Sequence, residues 1–315
     1  MKKIIFTLLL LSTIGFISCR KDKTQPGIEI VDNQQILSYI TNHAITGMVR
    51  DTAAGDTSGI YYKVMLPGLP NTSYKYTDSI SFVYSLASFD GQYSSPDTNI
   101  NHYASYAGHI TLANLPYGLQ LIVHDVLKRG GALRVLIPSH LAYGVSGSGS
   151  GSVSNANSHI AGNQCLDYYI HAINNQAAYD DQVIKSYLAY NNVTGYQRTA
   201  DGLYYIIHTP GTGTVSITNN TTITSTYTAF LLNGFTEANA TIFDNYNTTD
   251  GSGTAQEFET LVPGLQEGFS KFITTGAYVS FFIPSTLGYG PRIINSSVPV
   301  NSCLHYDIKI VSVSP

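Results

Sequence analysis

One eight-residue phrase is written twice in the chain, as Ile137-Pro-Ser-His-Leu-Ala-Tyr-Gly144 and as Ile283-Pro-Ser-Thr-Leu-Gly-Tyr-Gly290. Each copy closes an apolar strand (Ala132-Leu-Arg-Val-Leu-Ile137 and Ala277-Tyr-Val-Ser-Phe-Phe-Ile283) and opens a loop. A second strand with matching ends follows each loop, Cys165 to Ile173 and Cys303 to Val311. The register extends upstream through Asp32, Ile36 and Tyr39 against Asp180, Ile184 and Tyr187, and through Gly59-Ile-Tyr-Tyr62 against Gly202-Leu-Tyr-Tyr205. A period of about 145 residues is too long for a solenoid and matches two domains of ordinary size, each able to bury its own core. Loop lengths differ between the copies while the strand words persist, as expected when packed strands resist the length changes that loops tolerate.

The N-terminus reads separately. Met1-Lys-Lys3, an apolar run from Ile4 to Leu11, and Ser18 before Cys19 have the order of a secretory signal peptide. Cys19 after a small residue is similar to a bacterial lipobox, which makes it the expected lipidation site. The run is too short to span a bilayer, so lipid chains would hold the molecule at a membrane. The expected divisions are a signal peptide at 1–18, a polar tether at 19–28, a first module at 29–174 and a second at 175–315. The expected location is a bacterial cell envelope.

Charge is sparse, 16 Lys and Arg against 20 Asp and Glu, for a net charge of −4 without a basic cluster. That argues against a nucleic-acid partner. Nine His are scattered without paired ligand spacing, so neither a metal nor any other cofactor is expected. Cys165 and Cys303 occupy equivalent places in separate modules and read as small apolar strand residues. Ser139, His140 and Asp125 could suggest a hydrolytic triad, but no Gly-x-Ser-x-Gly elbow supports one.

Each module is expected to begin with a helix, near 32–45 and 180–192; in the second, Val183, Ile184, Tyr187 and Leu188 share a face. Strands rich in β-branched and aromatic residues follow, such as those around Phe82 and Tyr227. A short helix then opens after Pro116-Tyr-Gly118 in one copy, with Leu119, Ile122, Val123, Val126 and Leu127 inward, and stops at Gly130-Gly131. In the other it opens at Pro263-Gly264, with Leu265, Phe269 and Phe272 inward, and stops by Gly276. Pro at the start and Gly at the end is the usual helix punctuation. The fold class is α+β, a twisted antiparallel sheet wrapped on a short helix, built twice, with an extra N-terminal helix per module.

With the elements in that order, the chain resembles a tandem of FK506-binding-protein (FKBP) type peptidyl-prolyl cis-trans isomerases. The words that carry the resemblance are Phe243-Asp244, Leu261-Val-Pro-Gly-Leu-Gln-Glu-Gly268, Phe281 to Gly290, and Val298-Pro-Val-Asn-Ser-Cys-Leu-His-Tyr-Asp-Ile308. They cover about 115 residues of the second copy and, more weakly, a similar length of the first. The resemblance implies isomerisation of X-Pro bonds in exported proteins, with proline-containing or unfolded polypeptides as partners.

It also implies a site in the second copy made of Tyr227, Phe243, Asp244, Val262, Leu265, Tyr289 and Tyr306, with Phe258 and Val298 as looser substrate contacts. Phe243, Leu265 and Tyr306 would wall the proline ring. The Val262 amide and Tyr289 hydroxyl would donate to substrate carbonyls, and Tyr227 would orient Asp244. Leu265 stands where the family has Trp, Tyr306 where it has Phe, and Pro291 to Ser297 lacks the family's Gly-rich spacing. In the first copy Tyr84, Leu119, Tyr143 and Tyr168 match. There Tyr93-Ser94 replaces the Phe-Asp pair, Ile160-Ala-Gly162 replaces Ile-Pro-Pro, and the loop is swollen from Val145 to Val153. The expectation is one working site in the second module and a retained fold in the first. The rival reading is a non-catalytic, chaperone-like peptide-binding pair tethered to the membrane.

Overall fold

The computed structural model describes residues 26–53, 58–150, 155, 157–233, 240–248, 250–292 and 297–315. Cys19 and most of the expected signal peptide and tether lie outside them, as do parts of both loops that follow the repeated phrase.

The first module contains α1 (Ile28–Asn42), β1 (Val49–Arg50), β2 (Tyr61–Leu66), β3 (Ser79–Ser88), β4 (Ser94–Ser95), β5 (His102–Tyr106), α2 (Tyr117–Asp125), β6 (Ala132–Ile137) and β7 (Leu166–Ala172). The second contains α3 (Gln176–Tyr190), β8 (Gln197–Arg198), β9 (Tyr204–Thr209), β10 (Thr222–Leu231), β11 (Ile242–Tyr246), β12 (Thr254–Glu257), α4 (Pro263–Phe272), β13 (Tyr278–Ile283) and β14 (Leu304–Ser314).

The two sheets have one topology. Seven strands run β1-β2-β6-β7-β3-β4 with β5 also on β3, and seven run β8-β9-β13-β14-β10-β11 with β12 also on β10. Every pairing is antiparallel. The α+β architecture read from the sequence is therefore present twice.

Period-two alternation divides the sheet faces. Val279, Phe281 and Ile283 of β13 point into the main core with Leu265 and Phe269 of α4. Phe282 points the other way, into a second cluster with Ile184, Tyr187 and Leu188 of α3. In the first module Leu133, Val135 and Ile137 face α2, while Leu136 meets Ile36 of α1. Each sheet is thus covered on both faces by helices.

Both short helices approach their sheets closely. A Cβ on Gly264 would lie 2.6 Å from Ile283 Cγ2, and one on Gly118 would lie 2.6 Å from Ile137 Cγ2. Those glycines let the first turn of each helix sit on the strand that leads to the repeated phrase. Helix α2 ends at Asp125, so Val126 is its cap and Leu127 lies beyond it, still fully buried. Helices α1 and α3 begin at Ile28 and Gln176, about four residues earlier than expected. The Asn175 side chain caps α3 by accepting from the Ala178 amide at 3.0 Å.

The serine of the phrase is explained by the added helices. Asp180 of α3, fully buried, accepts from Ser285 Oγ at 2.7 Å, and Asp32 of α1 accepts from Ser139 Oγ at 2.7 Å. A buried carboxylate without such partners would be strongly unfavourable. Ser139 and His140 both bind Asp32, whereas Asp125 pairs with His124 at 2.7 Å, so the three residues do not form a triad. Cys165 and Cys303 are buried free thiols beside these carboxylates.

Candidate active site

In the second module, residues from five elements converge on one cavity of about 90 Å³. Tyr227 (β10), Asp244 (β11), Val262 at the N-cap of α4, Leu265 in its first turn, Tyr289 after the repeated phrase and Tyr306 (β14) line it, with Gln256, Thr260, Leu261, Phe269 and Ile308. For scale, an apolar cavity of about 150 Å³ takes up benzene. Phe243, expected as a wall, is not among the lining residues; it packs against the core with its ring edge-on to Tyr306 at 5.8 Å and to Tyr289 at 6.5 Å. Tyr227 and Tyr306 are tilted at 6.1 Å. Phe258 and Val298, 7% and 2% exposed, belong to the packed core behind the cavity rather than to its lining. Gln256 and Thr260 were not legible as lining residues, since neither carries a recognisable word.

The polar atoms are ordered. Tyr227 donates to Asp244 Oδ2 at 2.8 Å. Burial first, then the Asp244 carboxylate, pushes the Tyr227 hydroxyl far above the ordinary phenol range, so it stays protonated and donating. Tyr306 is pushed up in the same way by burial and by Tyr289. The Val262 amide donates to no carbonyl or side chain among the described residues, and it stands at a helix N-terminus, where amides are directed outward.

The first module superimposes its words on this plan with two losses. Tyr84 and Tyr168 are 6.0 Å apart, matching the Tyr227–Tyr306 pair. Leu119 and Tyr168 are fully buried, and Tyr143 donates to the Asn114 carbonyl at 3.1 Å. Burial and the neighbouring Tyr143 raise Tyr84 to about 12.

The acid is missing, one position away from where the sequence suggested. Ser95 pairs with Leu86 as Asp244 pairs with Ala229, because a register shift at Phe243 displaces the strand by one residue. Ser95, not Ser94, is the counterpart of Asp244. The second loss was not foreseen. The N-cap of α2 is Pro116, with φ −60° and ψ 145°, in the place where Val262 has φ −62° and ψ 149°. Proline has no amide hydrogen, so this site has no donor there.

No protein-family model matches the chain. Among curated proteins, the FKBP-type peptidyl-prolyl cis-trans isomerase FkpA of Buchnera aphidicola is 34% identical over 124 residues, covering 39% of this chain and 46% of that protein. A probable FKBP-type isomerase of Haemophilus influenzae is 30% identical over 117 residues, covering 37% and 45%. The chain thus spans a little under half the length of these relatives. Among solved structures, FkpA from Escherichia coli is similar over 44% of this chain and 61% of its own, with TM-score 0.37 and 24% identity. The three FKBP domains of wheat FKBP73 cover 85% of this chain and 99% of their own, with TM-score 0.32 and 16% identity. One antiparallel sheet and helix plan is thus built twice, and over somewhat more than a third of its length the chain is similar to FKBP-type peptidyl-prolyl cis-trans isomerases.

Proposed function

We propose that the second module isomerises X-Pro peptide bonds of polypeptide clients and that the first module does not. The observation that carries this reading is the meeting of an unspent backbone amide (Val262), the Asp244–Tyr227 pair and the Tyr289 and Tyr306 rings around one small cavity. The first module retains the rings but has neither the amide nor the acid.

The chemistry needs no nucleophile. Rotation about a peptide bond is opposed by about 18–20 kcal/mol of amide resonance. The twisted amide has lost that resonance and is less dipolar, so an apolar wall of Leu265 and Tyr306 disfavours it less than the planar ground state. A fixed donor from Val262 holds the carbonyl on one side of the rotating bond, and Tyr289 can hold another. Asp244, aligned by Tyr227, places negative charge beside the rotating carbonyl carbon. Leu265 gives the proline ring an aliphatic floor where the family has an aromatic one.

The test is a proline-isomerisation assay on the full chain, comparing wild type with Tyr289→Phe and Asp244→Leu. Loss of rate in both variants supports the reading; equal rates in all three refute it. A second reading has its own support. A larger cavity of about 600 Å³ lies between Pro96 to Asn99 of the first module and the α3 face carrying Tyr179, Val183, Tyr187 and Tyr190. A chain without isomerase activity that still slowed aggregation of an unfolded client would favour peptide holding there. Clients in the cell envelope, and a lipid anchor at Cys19, are part of the same proposal. Cys19→Ala should release the protein from membranes in fractionated cells.

A further inference from the structure

We infer that Asp180, acting through Ser285, is a positioning residue for Tyr289 in the second module's cavity. The inference rests on the isomerase reading above and extends it to a residue that lies on an added helix, outside the sheet and the short helix that build the cavity.

The connection is a short chain of hydrogen bonds. Ser285 Oγ donates to Asp180 Oδ2 at 2.7 Å, and the backbone amides of Ser285 and Thr286 also reach that carboxylate. Gln176 Nε2 holds the other oxygen at 2.8 Å. Both Asp180 and Ser285 are fully buried, so water cannot substitute for either partner. The Ser285 carbonyl in turn accepts from Gly288 N at 3.0 Å and from Gly290 N at 2.9 Å, the two residues that bracket Tyr289. Gly290 O then accepts from Asn301 N at 2.8 Å, just before the final strand. Tyr289 is therefore suspended between two peptide units bonded to one serine, of which Gly288 N is shared with the Pro284 carbonyl at 3.0 Å while Gly290 N bonds to Ser285 alone. That serine is oriented by a carboxylate from a different element.

The first module provides an internal comparison. Asp32 accepts from Ser139 Oγ at 2.7 Å and from His140 N at 3.2 Å, so the same buried anchor is present. The Ser139 carbonyl accepts from Ala142 N at 3.1 Å. Gly144 O accepts from Asn163 N at 2.8 Å as Gly290 O does from Asn301, but the bond from Gly290 N to the Ser285 carbonyl has no counterpart from Gly144 N to Ser139 among the described residues. The anchor alone thus serves the fold, and its extension to the residue after the tyrosine belongs to the module with the better-equipped cavity. Gln176 also accepts from Ser81 of β3 at 3.3 Å, and Asn301 Nδ2 donates to Ser81 Oγ at 3.3 Å, so the first module's strand touches both ends of this chain.

The test uses the full-length protein with Asp180→Ala, Asp180→Asn, Ser285→Ala, Tyr289→Phe and the double variant Asp180→Ala/Tyr289→Phe. Two readouts are made: amide hydrogen exchange at Gly288 and Gly290, and kcat and KM for isomerisation of an X-Pro peptide. Loss of the anchor should strip protection from the Gly290 amide, reduce it at Gly288 (which also has the Pro284 carbonyl), and lower kcat/KM about tenfold, the scale of one lost hydrogen bond, mainly in kcat. The double variant should be no slower than Tyr289→Phe alone, because both changes act on one group. Asp180→Asn, which keeps the shape and one acceptor, should recover most of the rate. Asp32→Ala, which breaks the twin anchor, should leave the second module's kcat/KM unchanged. Should Asp180→Ala fail to fold, Ser285→Ala removes only the hydroxyl and carries the same expectation at smaller size. Unchanged protection, or losses that simply multiply in the double variant, overturn the inference. A wild-type chain without isomerase activity defeats the isomerase reading instead, and exchange at Gly288 and Gly290 then decides the coupling by itself.

Discussion

Replacing Val262 with proline isolates the backbone donor more cleanly than any side-chain change. Val262 sits at φ −62° and ψ 149°, inside the range that the pyrrolidine ring imposes. Leu261 before it has φ −73° and ψ 155°, the extended conformation that a following proline requires. Its amide has no acceptor within the described fold, so no internal hydrogen bond is broken. Pro116 shows the same backbone accommodating proline in the sister module.

The variant should therefore fold at least as well as Val262→Ala, the control for the lost side chain, because a compatible proline adds about 0.4–1 kcal/mol of stability. What it loses is one hydrogen bond to a neutral substrate carbonyl. At about 0.5–1.5 kcal/mol net, that is about a 2- to 13-fold fall in kcat/KM. The assay is proline isomerisation with each variant, beside thermal unfolding of the same samples. An unchanged kcat/KM in a variant whose melting point has not dropped would refute the role given to the amide. The reciprocal Pro116→Val should not create activity in the first module, since Ser95 still stands where an acid is needed.

Other expectations concern pairing, charge and packing. Tyr227→Phe removes the donor to Asp244 and should slow isomerisation by about 2- to 10-fold, with little effect on stability, because Asp244 is exposed. Burial lowers the His102 imidazole to about 4, offset in part by the backbone of Thr98 and Val300. The unfolded chain takes up a proton near 6.5 while the folded chain does not until about 4, so stability falls as pH drops through that window. Denaturant unfolding at pH 7 and pH 4.5 should differ by about 2 kcal/mol from this group, and His102→Gln should remove that part of the difference. Gly268→Ala would place a Cβ 2.4 Å from two carbons of the Phe281 ring, and should cost about 1–3 kcal/mol in chemical unfolding.

The parts of the fold legible in the sequence were those written locally. Alternating strands gave both sheet faces, and Pro263 with Gly276 bracketed the helix that places Leu265. The cavity residues followed from ordered words, and Tyr227, Asp244, Val262, Leu265, Tyr289 and Tyr306 do share a lining. What was not legible depends on contacts far apart in the chain. Nothing near Ser285 announces that Asp180 is its partner, and nothing near Asp32 points to Ser139. Ser95 was missed because a bulge at Phe243 shifts one strand by a residue, which no pattern of residue types records. Pro116 was read as helix punctuation, which it is, while its missing hydrogen mattered only once Val262 was seen in the same backbone position.

Pro116 also bears on how such a pair of modules can change with time. A lost side chain can be replaced from several directions, but a missing backbone hydrogen can return only if the proline itself is exchanged. The acid would have to reappear separately at Ser95, on another strand. On the reading proposed above, neither step alone restores both groups. A donor removed by a proline is in that sense a harder loss to reverse than a side chain.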